Sequence, residues 1–129
     1  MADATYSEGS FTVTLTNCTT TVTGLVKYVK KGNQVTLTFP AMGGTSNGAT
    51  TQLTGFPTSA PNLIPATDLK QVSGFMVRNG TSVRAVGIIQ FNAGTVNLGY
   101  LNATDGYDAL TSSQAKGFDY PTDITYSLL

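Results

Sequence analysis

The sequence predicts an all-β chain: an antiparallel, jelly-roll-like β-sandwich of about seven or eight strands. Three observations carry this reading. Short runs alternate apolar and polar residues with a period of two, as in FTVTLT and DITYSLL. Gly-Asn, Ala-Gly and Asn-Gly pairs stand between such runs at hairpin spacing. No stretch carries apolar residues at helical spacing over the length of an ordinary helix. At 129 residues the chain is the size of one domain, expected to bury about two-thirds of its unfolded surface. Residues 1–9 read as a flexible leader and residues 10–129 as a single domain.

Taken in order, the first element is FTVTLT, where Phe11, Val13 and Leu15 share one face and Thr12, Thr14 and Thr16 the other. The next is YVKKGNQVTLTFPA. With Gly32 and Asn33 as the central turn residues, Val26 falls opposite Phe39 and Tyr28 opposite Leu37, all on one face. The other face receives Lys27 with Thr38 and Val29 with Thr36. A slip of one residue would bury Lys27, so turn and pattern agree on the register. FPTSAPNLIPAT, residues 56–67, holds three prolines and reads as a long connection crossing between sheets, since proline cannot donate to a ladder. In FMVRNGTSVRA, a turn at Asn79-Gly80 would pair Met76 with Val83 and Gly74 with Ala85. Phe75 then lies opposite Arg84 on the nominally outer face, directed at another sheet or another subunit. In GIIQFNAGTVNLG, a turn at Ala93-Gly94 pairs Phe91 with Val96 and Ile89 with Leu98, leaving Gln90 opposite Asn97. LNATDGYDALTSSQAKGF reads as loop with at most one short helical turn. The final DITYSLL alternates at Ile124, Tyr126 and Leu128 and reads as a strand.

Charged residues make up 11% of the chain, against about 25% in ordinary globular domains, and Thr alone occupies 22 positions. The polar surface is thus built from hydroxyls and amides. Seven basic residues balance seven acidic ones, and neither sign clusters beyond Lys30 and Lys31. Nucleic acid is therefore not an expected partner, because tracking phosphates needs a basic stripe. The apolar runs are too short for a membrane-spanning helix, and MADATYSEGS lacks the pattern of a secretory signal. Cys18 is the single cysteine; it excludes an internal disulfide and reads as a small, mostly buried thiol. The sequons at Asn17, Asn79 and Asn102 read as coincidences of a Thr-rich chain.

There is no histidine, so a Ser or Cys nucleophile has no imidazole base. Carboxylate chemistry would have to draw on Glu8, Asp68, Asp105, Asp108, Asp119 and Asp123, which stand in the leader or in turn-rich segments where Asp commonly supports the turn. The chain reads as no enzyme, with no cofactor and no metal. The oxygen-rich NATDGYD departs from calcium-loop spacing and lacks the closing Glu, and reads as an ordinary Asx-rich loop. A binding reading comes from the late aromatics. Tyr100, Tyr107 and Tyr120 stand among Asn102, Asp105 and Asp108, and aromatic faces beside amides and carboxylates suit sugar rings, whose C–H faces stack while their hydroxyls hydrogen-bond. Core packing is the ordinary fate of each ring taken singly. These six residues are the candidate carbohydrate-binding set.

The run from Leu15 to Pro57 resembles the C-terminal β-sandwich modules of tail fibres and tailspikes from tailed bacteriophages. The features shared are the strand Thr23 to Tyr28, the Gly32-Asn33 hairpin, the strand Val35 to Leu37, the small-residue loop Gly44 to Thr50 and the corner Leu53 to Pro57. KGFDYPTDITYSL is similar to the closing strand of such modules, and the likeness extends over most of residues 9 to 129. The resemblance implies a homotrimeric virion protein of the phage tail or surface, made in the host cytoplasm without a signal peptide. Its partners would be a bacterial surface glycan and other virion proteins. The expected function is non-catalytic host attachment as a tail-fibre or receptor-binding tip. The alternative is a structural trimerisation or capsid-decoration module without receptor affinity.

Overall fold

The computed structural model describes residues 6–57, 62–65, 69–79, 84–92, 94–101, 107–109, 115–118 and 120–129. Eleven strands are formed: β1 (Ser7–Leu15), β2 (Val22–Lys31), β3 (Gln34–Phe39), β4 (Met42–Thr45), β5 (Thr51–Thr54), β6 (Leu69–Asn79), β7 (Arg84–Asn92), β8 (Thr95–Leu101), β9 (Tyr107–Ala109), β10 (Ala115–Phe118) and β11 (Thr122–Ser127). No helix occurs among the described residues. The all-β, antiparallel expectation thus holds, while the described residues form eleven strands rather than seven or eight. The excess comes from short strands such as β4, β5, β9 and β10, whose few residues carry too little alternation to be seen in sequence.

All eleven strands belong to one hydrogen-bonded sheet, ordered β11, β3, β2, β1, β5, β8, β7, β6, β10, β4, with β9 also on β8. β5 is the joint: it pairs with β1 at Leu53 and Thr54 and with β8 at Thr51 and Gln52. β9 takes the rest of that β8 edge, at Gly99 to Leu101. Curling of the sheet brings its two halves together around one core. Phe39 of β3 stacks on Phe118 of β10 with ring centroids 4.7 Å apart, and Phe91 of β7 meets Tyr126 of β11 at 4.8 Å. The curl nearly closes. β11 comes alongside β6 without pairing with it. The far edge meets the turn after β1 through the Cys18–Ser46 bridge, where Thr19 N–H donates to Thr45 O and Asn47 N–H to Asn17 O. Cys18 is partly buried at this bridge and packs against the core. The proline-rich connection after β5 folds over the core, with Phe56 and Leu63 buried. It is pinned by the Tyr126 hydroxyl, which donates to Leu63 O at 2.6 Å.

Two of the three hairpin registers are as the sequence implies. β2 and β3 pair Lys27 with Thr38, Tyr28 with Leu37 and Val29 with Thr36, and Val26, Leu37 and Phe39 are fully buried. β7 and β8 pair Phe91 with Val96, Gln90 with Asn97 and Ile89 with Leu98. The third differs. β6 and β7 pair Met76 with Val86, Val77 with Ala85 and Arg78 with Arg84, and Phe75 stands opposite Gly87. The register shifts between Ser73 and Phe75, and Gly74 in the bulge has φ 107°. One inserted residue reverses the parity of a strand, so Val72 and Phe75 both face inward although they are three apart. Phe75 is therefore a core residue and Met76 an exposed one. The register of an Asn79-Gly80 turn places Phe75 opposite Arg84 on the outer face instead.

Other boundaries move as well. β1 begins at Ser7, so Glu8 and Gly9 are ladder residues opposite Val29 and Tyr28, not part of a leader ending at residue 9. The late segment expected to be loop contains β9 and β10: β9 pairs with the preceding strand at Gly99 to Leu101, and β10 is held by the distant β4 and β6.

Candidate functional site

The six sequence candidates do not form one site in the described structure. Tyr100, near the end of β8, is half-buried and packs against the core cluster. Its Cα partners are Gly87 on β7 and Asp108 on β9, and Tyr107 is the partner of Leu101. The backbone thus gathers Tyr100, Tyr107 and Asp108 at one strand edge. Asn102 and Asp105 lie outside the described residues. Tyr120 stands elsewhere, just before β11, with 62% of its surface exposed.

Tyr120 lines a depression of about 250 Å³ in the seam where β11 approaches β6. One wall is Tyr120 to Asp123 and the other is Gly74 to Met76. The local sequence explains the shape. The Thr122 hydroxyl donates to Tyr120 O at 2.9 Å and holds the turn into β11 around Pro121. Across the seam, the Gly74 bulge lifts one residue out of the ladder, and the space above Gly74 is open. Met76, 49% exposed, follows on the outer face. Asp123 is exposed on the outer face of β11, opposite Thr38. The site therefore offers an aromatic face, a thioether and a carboxylate. Asp123, Met76 and Gly74 were not singled out as binding residues from sequence. The Ser-Gly pair before an alternating FMV run was the available signal, since an isolated Gly in a strand marks bulges.

Two wider depressions carry less recognisable chemistry. One, of about 460 Å³, is floored by Gly43, Gly44 and Gly117 on β4 and β10 and rimmed by Arg78. Lys116, which also borders it, is only 1% exposed, and its Nζ donates to Ala49 O at 3.3 Å. Burial lowers the Lys116 pKa, and nearby Cys18 partly opposes that shift. A cation so enclosed is a structural strut beneath the 46–50 segment. The other depression, about 410 Å³ between Glu8–Ser10 and Lys27–Val29, mixes one acid and one base. Its tyrosine, Tyr28, is laid over Gly9 and against Phe11.

No group of three or more His, Cys, Asp or Glu residues could hold a metal ion among the described residues. Of the carboxylates described with side chains, Glu8 and Asp123 belong to β1 and β11, separated by β2 and β3. Three strand spacings place them about 14 Å apart. The carboxyl pair of a glycosidase spans at most about 9.5 Å, less than this spacing between the two strands. No family model matches the chain, and no curated protein matches it.

Proposed function

We propose that this chain is a non-catalytic attachment module of a phage virion, a tail-fibre or receptor-binding tip that recognises bacterial surface carbohydrate as a homotrimer. The observation that carries the reading is the Tyr120 depression: an exposed aromatic face beside the Asp123 carboxylate, in a seam held open by a bulge. Aromatic stacking and charge-assisted hydrogen bonds to hydroxyls are what sugar recognition requires. The resemblance of Thr23 to Pro57 to phage fibre modules supplies the virion setting, the trimer and the companion virion proteins. We also read the curled sheet as a variant of the jelly-roll-like sandwich, because β3 and β11 face β7 and β10 across a single layer of aromatic side chains.

The test is binding of the purified chain to surface polysaccharide from candidate bacterial hosts, with Tyr120→Ala as the control. Saturable binding abolished by Tyr120→Ala is the expected result. Binding that survives the substitution sinks this assignment of the site.

A second reading has its own support. Met76, Val86 and Leu101 form a row across the outer faces of β6, β7 and β8 and are 49%, 39% and 51% exposed. An apolar row on an outer face suits burial against another copy. A trimerisation or capsid-decoration module without receptor affinity would bury that row, and with it Met76, the residue that the row shares with the wall of the depression. A trimeric mass in solution combined with silence toward host polysaccharides favours this second reading. A monomeric mass at micromolar concentration counts against both.

A further inference from the structure

We infer that the Tyr120–Asp123 depression takes one terminal sugar residue that carries no carboxylate, with an N-acetylhexosamine the best fit. This rests on the reading of the depression as a glycan site and adds the class of sugar. Size comes first. About 250 Å³ falls below the ~300 Å³ at which ordinary small-molecule pockets begin, which suits a single ring rather than a stretch of oligosaccharide.

Chemistry narrows the ring. The carboxylate of Asp123 only accepts hydrogen bonds, so the ligand must present donors to it: vicinal hydroxyls, or the N–H of an acetamido group. The opposite wall, Met76, offers a soft thioether chain against which the acetamido methyl can pack. Tyr120 supplies the flat face for the ring's C–H groups. A uronate or sialate would bring an acceptor with a like charge to Asp123, and no basic residue lines the depression among the described residues. Lys27 and Arg78 line other depressions. Lys27 is two strands away from Asp123 across Thr38, and Arg78 lies two residues beyond Met76 at the β4–β10 rim. In the sequence DYPTD, the charges flanking Tyr120 are both acidic, Asp119 and Asp123.

The experiment titrates the intact chain, at low ionic strength, with oligosaccharides terminating in hexose, N-acetylhexosamine or uronate. Like charges 4 Å apart in water disfavour each other about fivefold, so the native chain is expected to bind uronate-terminated glycans about fivefold more weakly than neutral ones. Asp123→Asn narrows that gap toward equality, and Tyr120→Ala removes binding of every class. Both positions are exposed, and unchanged far-UV circular dichroism verifies that the variants remain folded. Equal or preferred binding of uronate-terminated glycans, still lost in Tyr120→Ala, overturns the class of sugar and leaves the site standing. Binding indifferent to Tyr120→Ala, or absent for all three classes, overturns the site and this inference together.

Discussion

Substituting Gly87 by Ala tests the least expected feature of the fold, the placement of Phe75 in the core. A Cβ at Gly87 would lie 2.2 Å from Phe75 Cε2 and 2.6 Å from Val77 Cγ1, far inside the ~3.5 Å at which carbon atoms attract. Overpacking of this kind costs about 1–3 kcal/mol. The change also removes the conformational freedom of a strand glycine, which offsets about 0.5–1 kcal/mol. A net destabilisation of about 1–2 kcal/mol is expected. The partner substitution, Phe75→Ala, leaves a cavity and costs about 3–5 kcal/mol. In its background, with the ring gone, Gly87→Ala costs less but is not free, because Val77 Cγ1 still stands 2.6 Å from the new Cβ. The double-mutant cycle therefore yields a coupling of about 0.5–1.5 kcal/mol. Equilibrium urea unfolding followed by far-UV circular dichroism measures it, and Phe75→Leu provides a milder partner if Phe75→Ala unfolds. With a urea slope of about 1–3 kcal/mol per molar, Gly87→Ala alone moves the midpoint by roughly 1 M. A cost below about 0.5 kcal/mol, or the same cost in both backgrounds, would mean that Phe75 does not lie over Gly87. Simple alternation of β6 would then be restored.

Three further outcomes are expected. Gly74→Ala meets no atom but forces a β-carbon into φ 107°, so it should cost about 1–2 kcal/mol through backbone strain alone; a urea melt within error of the native chain would remove the bulge. Tyr126→Phe leaves the buried Leu63 carbonyl without its donor and should cost about 1–3 kcal/mol. Burial also raises the Tyr126 pKa well above the ordinary phenol value of 10.0. The native chain therefore holds a contribution that is present below pH 10 and lost as pH climbs toward the folded pKa, and Tyr126→Phe should lack that alkaline loss in thermal melts. Lys116 acts in the opposite sense. Its folded pKa lies below the unfolded value of 10.5, so the cost of enclosing the ammonium is full below the folded pKa. That cost is relieved as pH rises from there toward 10.5, where the unfolded chain binds more protons. Lys116→Met should abolish this gain, and an unchanged rise in stability over that window would show that another group causes it.

The sheet class and two of its hairpins were legible from residue order because the information is local. A Gly32-Asn33 turn between VKYVKK and QVTLTF leaves one register that buries Val26, Leu37 and Phe39 while exposing Lys27, and the turn before Gly94 does the same for Phe91 and Leu98. The β6–β7 hairpin departs from its Asn79-Gly80 expectation because Arg78 pairs with Arg84, a register that a two-residue turn cannot give, and the bulge at Gly74 shifts the ladder once more; only cross-strand pairing exposes either. Of the candidate site, Tyr120 was legible as an aromatic in a turn-rich segment. Its neighbours Gly74 and Met76 were not, because they stand more than forty residues earlier in the chain.

By itself, then, the sequence determined which faces of β1, β2, β3, β8 and β11 are apolar, and it left the chain without histidine, a disulfide or a basic stripe. Alternation, turn chemistry and composition act within a few residues. Tertiary structure decided everything that depends on distant partners. It decided that β5 joins β1 to β8, that β10 is held between β6 and β4, and that the curled sheet brings β11 beside β6. The seam left there sets Tyr120 and Asp123 against Gly74 and Met76. Strand order follows from which apolar faces can be buried together around one core, a global packing condition that no short window of residues contains.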